Sequence, residues 1–430
     1  MTIQMPAPAA TRQIERFDPQ GHQMGPLGTI AAQLSLVAGL LWAMGALGGL
    51  LLPPTIGILT IAPAFGALLL APRTILMQFP VSLSILGIFA IAVGSIAWTI
   101  DPVASSATLK GSIPAMLAVV LAGGMLGLRD TADGLIWAIR VALLVTFIAL
   151  AAFPETRAHF GDGGAIDYPG WHGFFNHKNN MASFLVLAIP TILTFSRSAL
   201  AKWSTMALIC VLLAGSTSAT GVSAAFFAGV AWIWLRIYQS QKDARNSTLL
   251  ALVSLLGSLG VVAAALSSIA TITSAYGKDT TFSGRTEIWE ASLDALSRKP
   301  WLGHGFGALF WREDISSETA EIWRQVGFEA SHAHNGALDL ALQIGLVGLA
   351  IFAILFISTL RMGWHALSTQ PDLGIWVVSA MSANLLMSFS EDVFFGGWLA
   401  VFALMKMLLM RRPESINRPS WRDGPISKWA

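Results

Sequence analysis

Residues 330–360 read ASHAHNGALDLALQIGLVGLAIFAILFISTL. From Gly336 onward the stretch is apolar apart from Asp339 and Gln343. A bilayer core needs roughly 20 apolar residues per helix, so 336–360 reads as a membrane span. His332, His334 and Asn335 stand at its mouth. A chain this apolar has few polar residues to place, and it places several at the edge of a span.

Outward from this stretch the same composition continues. The chain has 430 residues, 54% hydrophobic and 12% charged, where ordinary globular domains carry about 25% charged residues. It reads as an all-α polytopic membrane protein. Twelve spans are expected, near 28–52, 55–71, 81–99, 112–128, 133–153, 181–196, 203–216, 221–238, 247–272, 336–360, 373–390 and 394–410. Residues 1–27 lack the apolar region of a cleavable signal and read as a cytoplasmic segment. Residues 28–410 form the membrane domain, and 411–430 a cytoplasmic tail. The formal charge of +2 gives no reason to expect a nucleic-acid partner. The single cysteine, Cys210, excludes an internal disulfide and a thiolate metal site.

Lys and Arg mark cytoplasmic connections. With both termini inside, those connections hold Arg73, Arg129, Arg197 with Lys202, Lys242 with Arg245, and Arg361. The opposite turns are poor in them, and the turn at 391–393 carries Glu391 and Asp392 instead. Two longer segments, 154–180 and about 273–335, then face outward, the second as the one large periplasmic loop.

The first outer segment ends in WHGFFNHKNNMASF, residues 171–184. His177, Lys178, Asn179 and Asn180 precede a span there. One reading is an interfacial cap, with an asparagine capping the helix and Lys178 snorkelling. The other is an anion site, where free amides, helix dipole and lysine converge. The second segment opens with TFSGRTEIWEASLDALSRKPWLGHGFGALFW, residues 281–311. Residues 285–298 read as an amphipathic helix that stops before Pro300. Arg285, Trp289, Ser292, Leu293 and Leu296 are expected on one face. A surface helix accounts for Trp289, but an arginine on the apolar side needs an anionic partner. Glycines 303, 305 and 307 predict a tight, irregular wall.

At the mouth of the span, His334 and Asn335 begin a helix, and Asn335 and Asp339 are four apart on one face. Interfacial histidine is one reading. A metal site is another, since His332 and His334 could combine with His304, His172 or His177. The spacing does not match the two-histidine, one-base pattern of zinc enzymes.

Taken in order, these segments resemble the O-antigen ligase and polymerase superfamily of bacterial envelope glycosyltransferases, closest to the branch that polymerises exopolysaccharide repeats of the succinoglycan type. The motifs are FFNHKNNMA at 174–182, STSATG at 216–221, SGRTEIW at 283–289, RKPWLGHGFGALFW at 298–311 and SHAHNGALDLALQIGLVGL at 331–349, with SFSEDVFF at 388–395 a weaker one. The resemblance covers roughly residues 170–395. It implies a fold like that of the membrane glycosyltransferases of class C, set in the bacterial inner membrane with the active-site loops facing the periplasm. It implies a donor oligosaccharide on undecaprenyl diphosphate, a sugar acceptor, no cofactor and no metal. A chain-length regulator is a further expected partner. His334 takes the place of the family's proposed base, and Arg285 that of its diphosphate-binding arginine. His177, Lys178, Asn179, Trp289 and Asn335 complete the expected substrate-binding set.

This chain departs from the family at three positions. Ala219 stands where the family carries a basic residue, His304 where tyrosine is frequent, and Gln343 where glutamate is frequent. Lys178 is the nearest candidate to replace the missing cation.

The expected chemistry suits these residues. A diphosphate leaves readily if its charge is stabilised, and arginine pairs with phosphate oxygens through a planar fork. A sugar hydroxyl needs a base near neutral pH, and histidine supplies one. Direct attack inverts the anomeric centre. A retaining route would need a carboxylate nucleophile with a second acid nearby, and Glu287, Glu290, Glu313 and Asp314 are expected on a solvated face. No D-x-D motif for a metal-bound nucleotide sugar occurs. The expected reaction is repeat-unit polymerisation. Ligation to lipid A core is the alternative within the class. A flippase for lipid-linked oligosaccharide would put polar residues at the midplane of broken helices, whereas these lie in outer loops.

Overall fold

The computed structural model describes residues 24–47, 53, 55–77, 79–160, 166–240, 285–310, 315–394 and 396–411. The expected span at 247–272 lies outside them. Every other expected span has a helix. In chain order these are α1 (Pro26–Ala43), α2 (Ile56–Leu59) with α3 (Ala62–Leu70), α4 (Arg73–Met77), α5 (Leu83–Gly94), α6 (Pro102–Met125), α7 (Leu128–Ala152), α8 (Lys178–Phe195), α9 (Ala199–Ser216) and α10 (Ala219–Ser240). Within the segment 273–335 lie α11 (Arg285–Arg298) and α12 (Ser317–Val326), followed by α13 (Gly336–Thr369), α14 (Pro371–Ser388) and α15 (Gly397–Met410). Among the described residues, six helices are long and apolar enough to cross a membrane: α1, α6, α7, α9, α10 and α13. The chain is a multi-pass membrane protein.

Several boundaries differ from expectation. Helix α6 starts at Pro102 rather than near 112, because Asp101 caps it by accepting a hydrogen bond from the Ala104 amide at 2.9 Å. Lys110 therefore lies inside a helix. Arg361 lies inside α13, which runs on to Thr369. Among the described residues the all-α architecture carries one small hairpin, in the segment 154–180. Strands β1 (Ala158–Phe160) and β2 (Ile166–Pro169) pair antiparallel, Ala158 facing Pro169 and His159 facing Tyr168. Helix α12 was also not anticipated.

The core explains why α15 is short yet central. Its residues from Gly397 to Leu408 are all buried, Lys406 the one charged group among them, and a helix this apolar all round belongs in a bundle's interior. Indole N–H groups buried with it find partners: Trp376 of α14 donates to Thr191 of α8 at 2.9 Å. Helices α1, α6, α8, α13, α14 and α15 share one continuous apolar cluster.

Helix α13 is broken at Gly345, whose φ of 72° lies in the left-handed region. A break frees carbonyls that cannot stay unpaired in a low-dielectric interior. The glycine-rich segment supplies their partners. The His304 amide donates to Leu342 O at 2.8 Å, and the Gly305 amide to Gln343 O at 2.9 Å. In return the Leu346 amide donates to Pro300 O. The approach is so close that a Cβ on Gly345 would lie 2.0 Å from the Trp301 carbonyl oxygen. The expected irregular wall is thus a clamp on a broken membrane helix.

Candidate active site

Five segments meet at one end of the bundle: the start of α8, the turn between α9 and α10, the start of α11, the turn before α13 and the turn between α14 and α15. Each brings side chains that a turn or helix terminus holds in place.

Helix α8 starts at Lys178. Its cap is His177, whose Nδ1 accepts from the Asn179 amide at 3.2 Å. The asparagines are thereby released from the expected capping role. Asn179 donates instead to Glu391 Oε1 at 2.7 Å. Lys178 Nζ donates to Thr217 Oγ1 at 3.2 Å, beside Ala219. The turn between α9 and α10 is tied in turn to the 388–395 segment by a Ser390–Thr220 hydroxyl bond of 3.0 Å.

Helix α11 matches its expected span, but its buried face is rotated. Ile288, Ala291, Ser292 and Ala295 are buried, while Leu293 is exposed. Trp289 donates its indole N–H to the Ala333 carbonyl at 3.0 Å. It therefore holds the turn before α13. Arg285 finds the anionic partner its position demands in Glu391, with Nη2 3.3 Å from Oε1.

The turn 331–335 is fixed from every side. Both oxygens of Asp339 accept from the Ala333 amide, at 3.2 and 3.1 Å. His332 Nδ1 accepts from the His334 amide at 3.1 Å. Asn335 caps α13 by accepting from the Leu338 amide at 3.1 Å. Held this way, His334 adopts a φ of 51°, a left-handed conformation that costs a non-glycine residue about 1–3 kcal/mol and persists only where surroundings enforce it. Its Nδ1 is buried without a hydrogen-bond partner, 3.9 Å from Glu391 Oε2.

Glu391 is therefore the hub. One oxygen takes Asn179 and Arg285, and the other faces His334. Its side chain is only 3% exposed. Burial raises its pKa to about 7, against the lowering effects of Arg285 and of the Asn179 hydrogen bond, while Asp392 adds to the rise. The histidines shift oppositely. Burial, then His332 and Arg285, lower His334 to about 3, against a hydrogen bond to the Ser390 backbone. Burial and Arg285 lower His332 to about 4. Burial, then the neighbouring His332 and Lys178, lower His177 to about 4. At neutral pH the imidazoles are uncharged acceptors, beside a carboxylate poised between two states.

Of the expected residues, the structure joins Arg285, Asn179 and His334 through Glu391, and places Trp289 and Asn335 as supports of the histidine turn. Lys178 and His177 sit on the same helix start. Sequence reading quoted SFSEDVFF but took Glu391 and Asp392 as turn residues. The signal it had was an arginine on an apolar face with no named partner.

Two overlapping groups, His332–His334–Glu391 and His332–Asp339–Asp392, bring potential metal-ligand atoms within 4.8 Å of one another. Much of that donor set is already engaged. Arg285 and Asn179 hold Glu391, the Ala333 amide holds Asp339, and His332 Nδ1 accepts from the His334 amide. His334 Nδ1 and Asp392 are the members of the two groups that these hydrogen bonds leave out.

Comparison with known proteins covers part of the chain. Residues 204–353 match the O-antigen ligase family. The chain is 26% identical to the General O-oligosaccharyltransferase of Acinetobacter baylyi over 309 residues, covering 65% of this chain and 50% of that protein. It is 27% identical to the Exopolysaccharide production protein ExoQ of Rhizobium meliloti over 157 residues, 36% of this chain and 35% of that protein. The chain thus spans half or less of the length of each.

Proposed function

We propose that this chain, with an O-antigen ligase domain at residues 204–353, is a metal-independent, inverting membrane glycosyltransferase. It moves an oligosaccharide from undecaprenyl diphosphate to a sugar hydroxyl and so polymerises repeat units. The reaction runs on the outer face of the bacterial inner membrane, with both termini cytoplasmic. The observation that carries the reading is the Arg285–Glu391–His334 arrangement, in which one buried carboxylate contacts the guanidinium and faces the imidazole.

In this reading Arg285 binds the diphosphate. Lys178, lying against the turn that holds Ala219, supplies the second cation from a neighbouring helix. His334 takes the proton of the acceptor hydroxyl as its oxygen bonds to the anomeric carbon. The anomeric carbon–oxygen bond breaks, and its electron pair leaves with the undecaprenyl diphosphate. Glu391 Oε2 faces the imidazolium that forms and steadies its charge. Arg285 helps hold His334 far below the ordinary histidine range. A bound diphosphate offsets the Arg285 part of that lowering, while burial, the largest cause, remains.

Transfer to another acceptor is the second reading. It is favoured by the longest similarity, to a protein named for oligosaccharide transfer to oxygen. The test is reaction of the purified chain with a defined lipid-diphosphate oligosaccharide, scoring polymer against product on an added core acceptor, with and without chelator. A ladder of repeats that survives chelation supports polymerisation. A single addition to core selects ligation, and chelator-sensitive turnover restored by zinc overturns the metal-free mechanism.

A further inference from the structure

Glu391 and Asp392 also line a cavity of about 450 Å³, within the range of about 300–1,000 Å³ typical of small-molecule sites. The cavity reaches from these carboxylates to Trp42 at the C-terminal end of α1, to Thr108 and Ser112 on α6, and to Trp398 at the start of α15. Asparagines of the α8 start and Gln343 add amide groups. Among the described residues that line it, none is Lys, Arg or His, and the charged ones are the two carboxylates. Lys178 is turned to Thr217, and Arg285 meets Glu391 without lining the cavity.

Such a wall matches a saccharide. A sugar ring has an apolar C–H face that indoles can cover, and hydroxyls that amides and carboxylates can bond. The wall does not match an anion. A phosphate placed there would meet two carboxylates and no cationic lining residue, Arg285 being already paired with Glu391, and a desolvated anion without a partner is costly.

We infer that this cavity is the subsite for the terminal sugar of the acceptor, and that its carboxylates admit an uncharged or amino sugar and exclude a phosphorylated one. The inference rests on the glycosyl-transfer reading and deepens it. An acceptor that carries phosphate on the accepting sugar is selected against, which sets a neutral growing glycan ahead of a phosphorylated core.

The test is binding to the full chain in lipid nanodiscs at pH 8, above the value of about 7 to which burial raises Glu391. The probes are a neutral trisaccharide and the same trisaccharide with a phosphate monoester on its terminal sugar. Binding of undecaprenyl diphosphate is measured in parallel. The wild-type chain should prefer the neutral probe by about tenfold or more. Asp392→Asn should narrow that ratio. Asn180→Lys, at an exposed position on the cavity rim, should narrow it without disturbing the core. Equal binding of the two probes, or a ratio unmoved in both variants, overturns the charge filter while lipid-diphosphate binding leaves the reaction standing. Failure to bind undecaprenyl diphosphate, in the wild type as in Arg285→Lys, overturns the reading of function itself.

Discussion

The two ends of the helix bundle handle charge in opposite ways. At the end away from the site, Arg197 pairs with Asp133 across 3.3 Å, both well exposed. Arg236 pairs with Asp372 at 2.7 Å, and Arg411 donates to the carbonyls of Leu126 and Gly124 that end α6. These are simple, local contacts in or near water, and surface pairs of this kind contribute about 0–1 kcal/mol. At the site end, one buried carboxylate serves an arginine, an asparagine and a histidine, with further carboxylates close by. Charges there are packed more tightly than stability alone would favour. The difference separates charges that pair one to one near water from charges gathered on a shared buried carboxylate.

The comparison can be tested from its strongest consequence downward. His334→Ala should abolish transfer, a loss of at least about 10²–10⁴-fold, while membrane insertion stays normal. Wild-type chain lengths in that variant would remove His334 from the role of base. Arg285→Lys keeps the charge and loses the fork. Since charge-assisted hydrogen bonds contribute about 1.5–3 kcal/mol each, turnover should fall about ten- to a hundredfold, and unchanged turnover would place the diphosphate elsewhere.

Glu391→Gln sharpens the contrast through pH. The Glu391 carboxyl has its pKa raised to about 7, so it is ionised above that pH and protonated below. If the ionised form steadies the imidazolium, wild-type turnover falls as pH drops through about 7. In the glutamine variant turnover should be roughly tenfold lower at pH 8, with that acidic limb gone. A variant profile that keeps the limb would assign it to another group. At the opposite end, Arg197→Ala should change stability by less than about 1 kcal/mol and leave turnover unaltered. A large loss there would erase the distinction between the ends.

Much of this was readable from sequence because the governing patterns are local. Apolar runs of span length located nearly every described helix, and the positions of Arg285, His334 and Asn335 followed from helix spacing and termini. The start of α6 is hard to read from apolarity because Lys110 interrupts the apolar run, and its signal is instead the Asp101 cap before Pro102. The hairpin at 158–169 escaped because its short strands carry no clear alternation. Glu391 escaped for a different reason. Its partners, Asn179 and Arg285, are 212 and 106 residues away, and no periodicity along one chain encodes that meeting. The arginine on the apolar side of α11 announced that a partner existed without naming it.

The break in α13 has a genetic consequence. Gly345 touches neither the guanidinium nor the imidazole, yet any side chain there drives into the Trp301 carbonyl. Gly303 is under the same constraint from the other side, since a Cβ on it would lie 2.7 Å from the Gln343 carbonyl oxygen. A saturation screen for loss of activity should therefore recover these glycines together with His334. Suppressors should separate the two classes. Second-site changes in the 299–303 segment can make room beside an altered residue 345, whereas no change elsewhere in the chain restores a missing base.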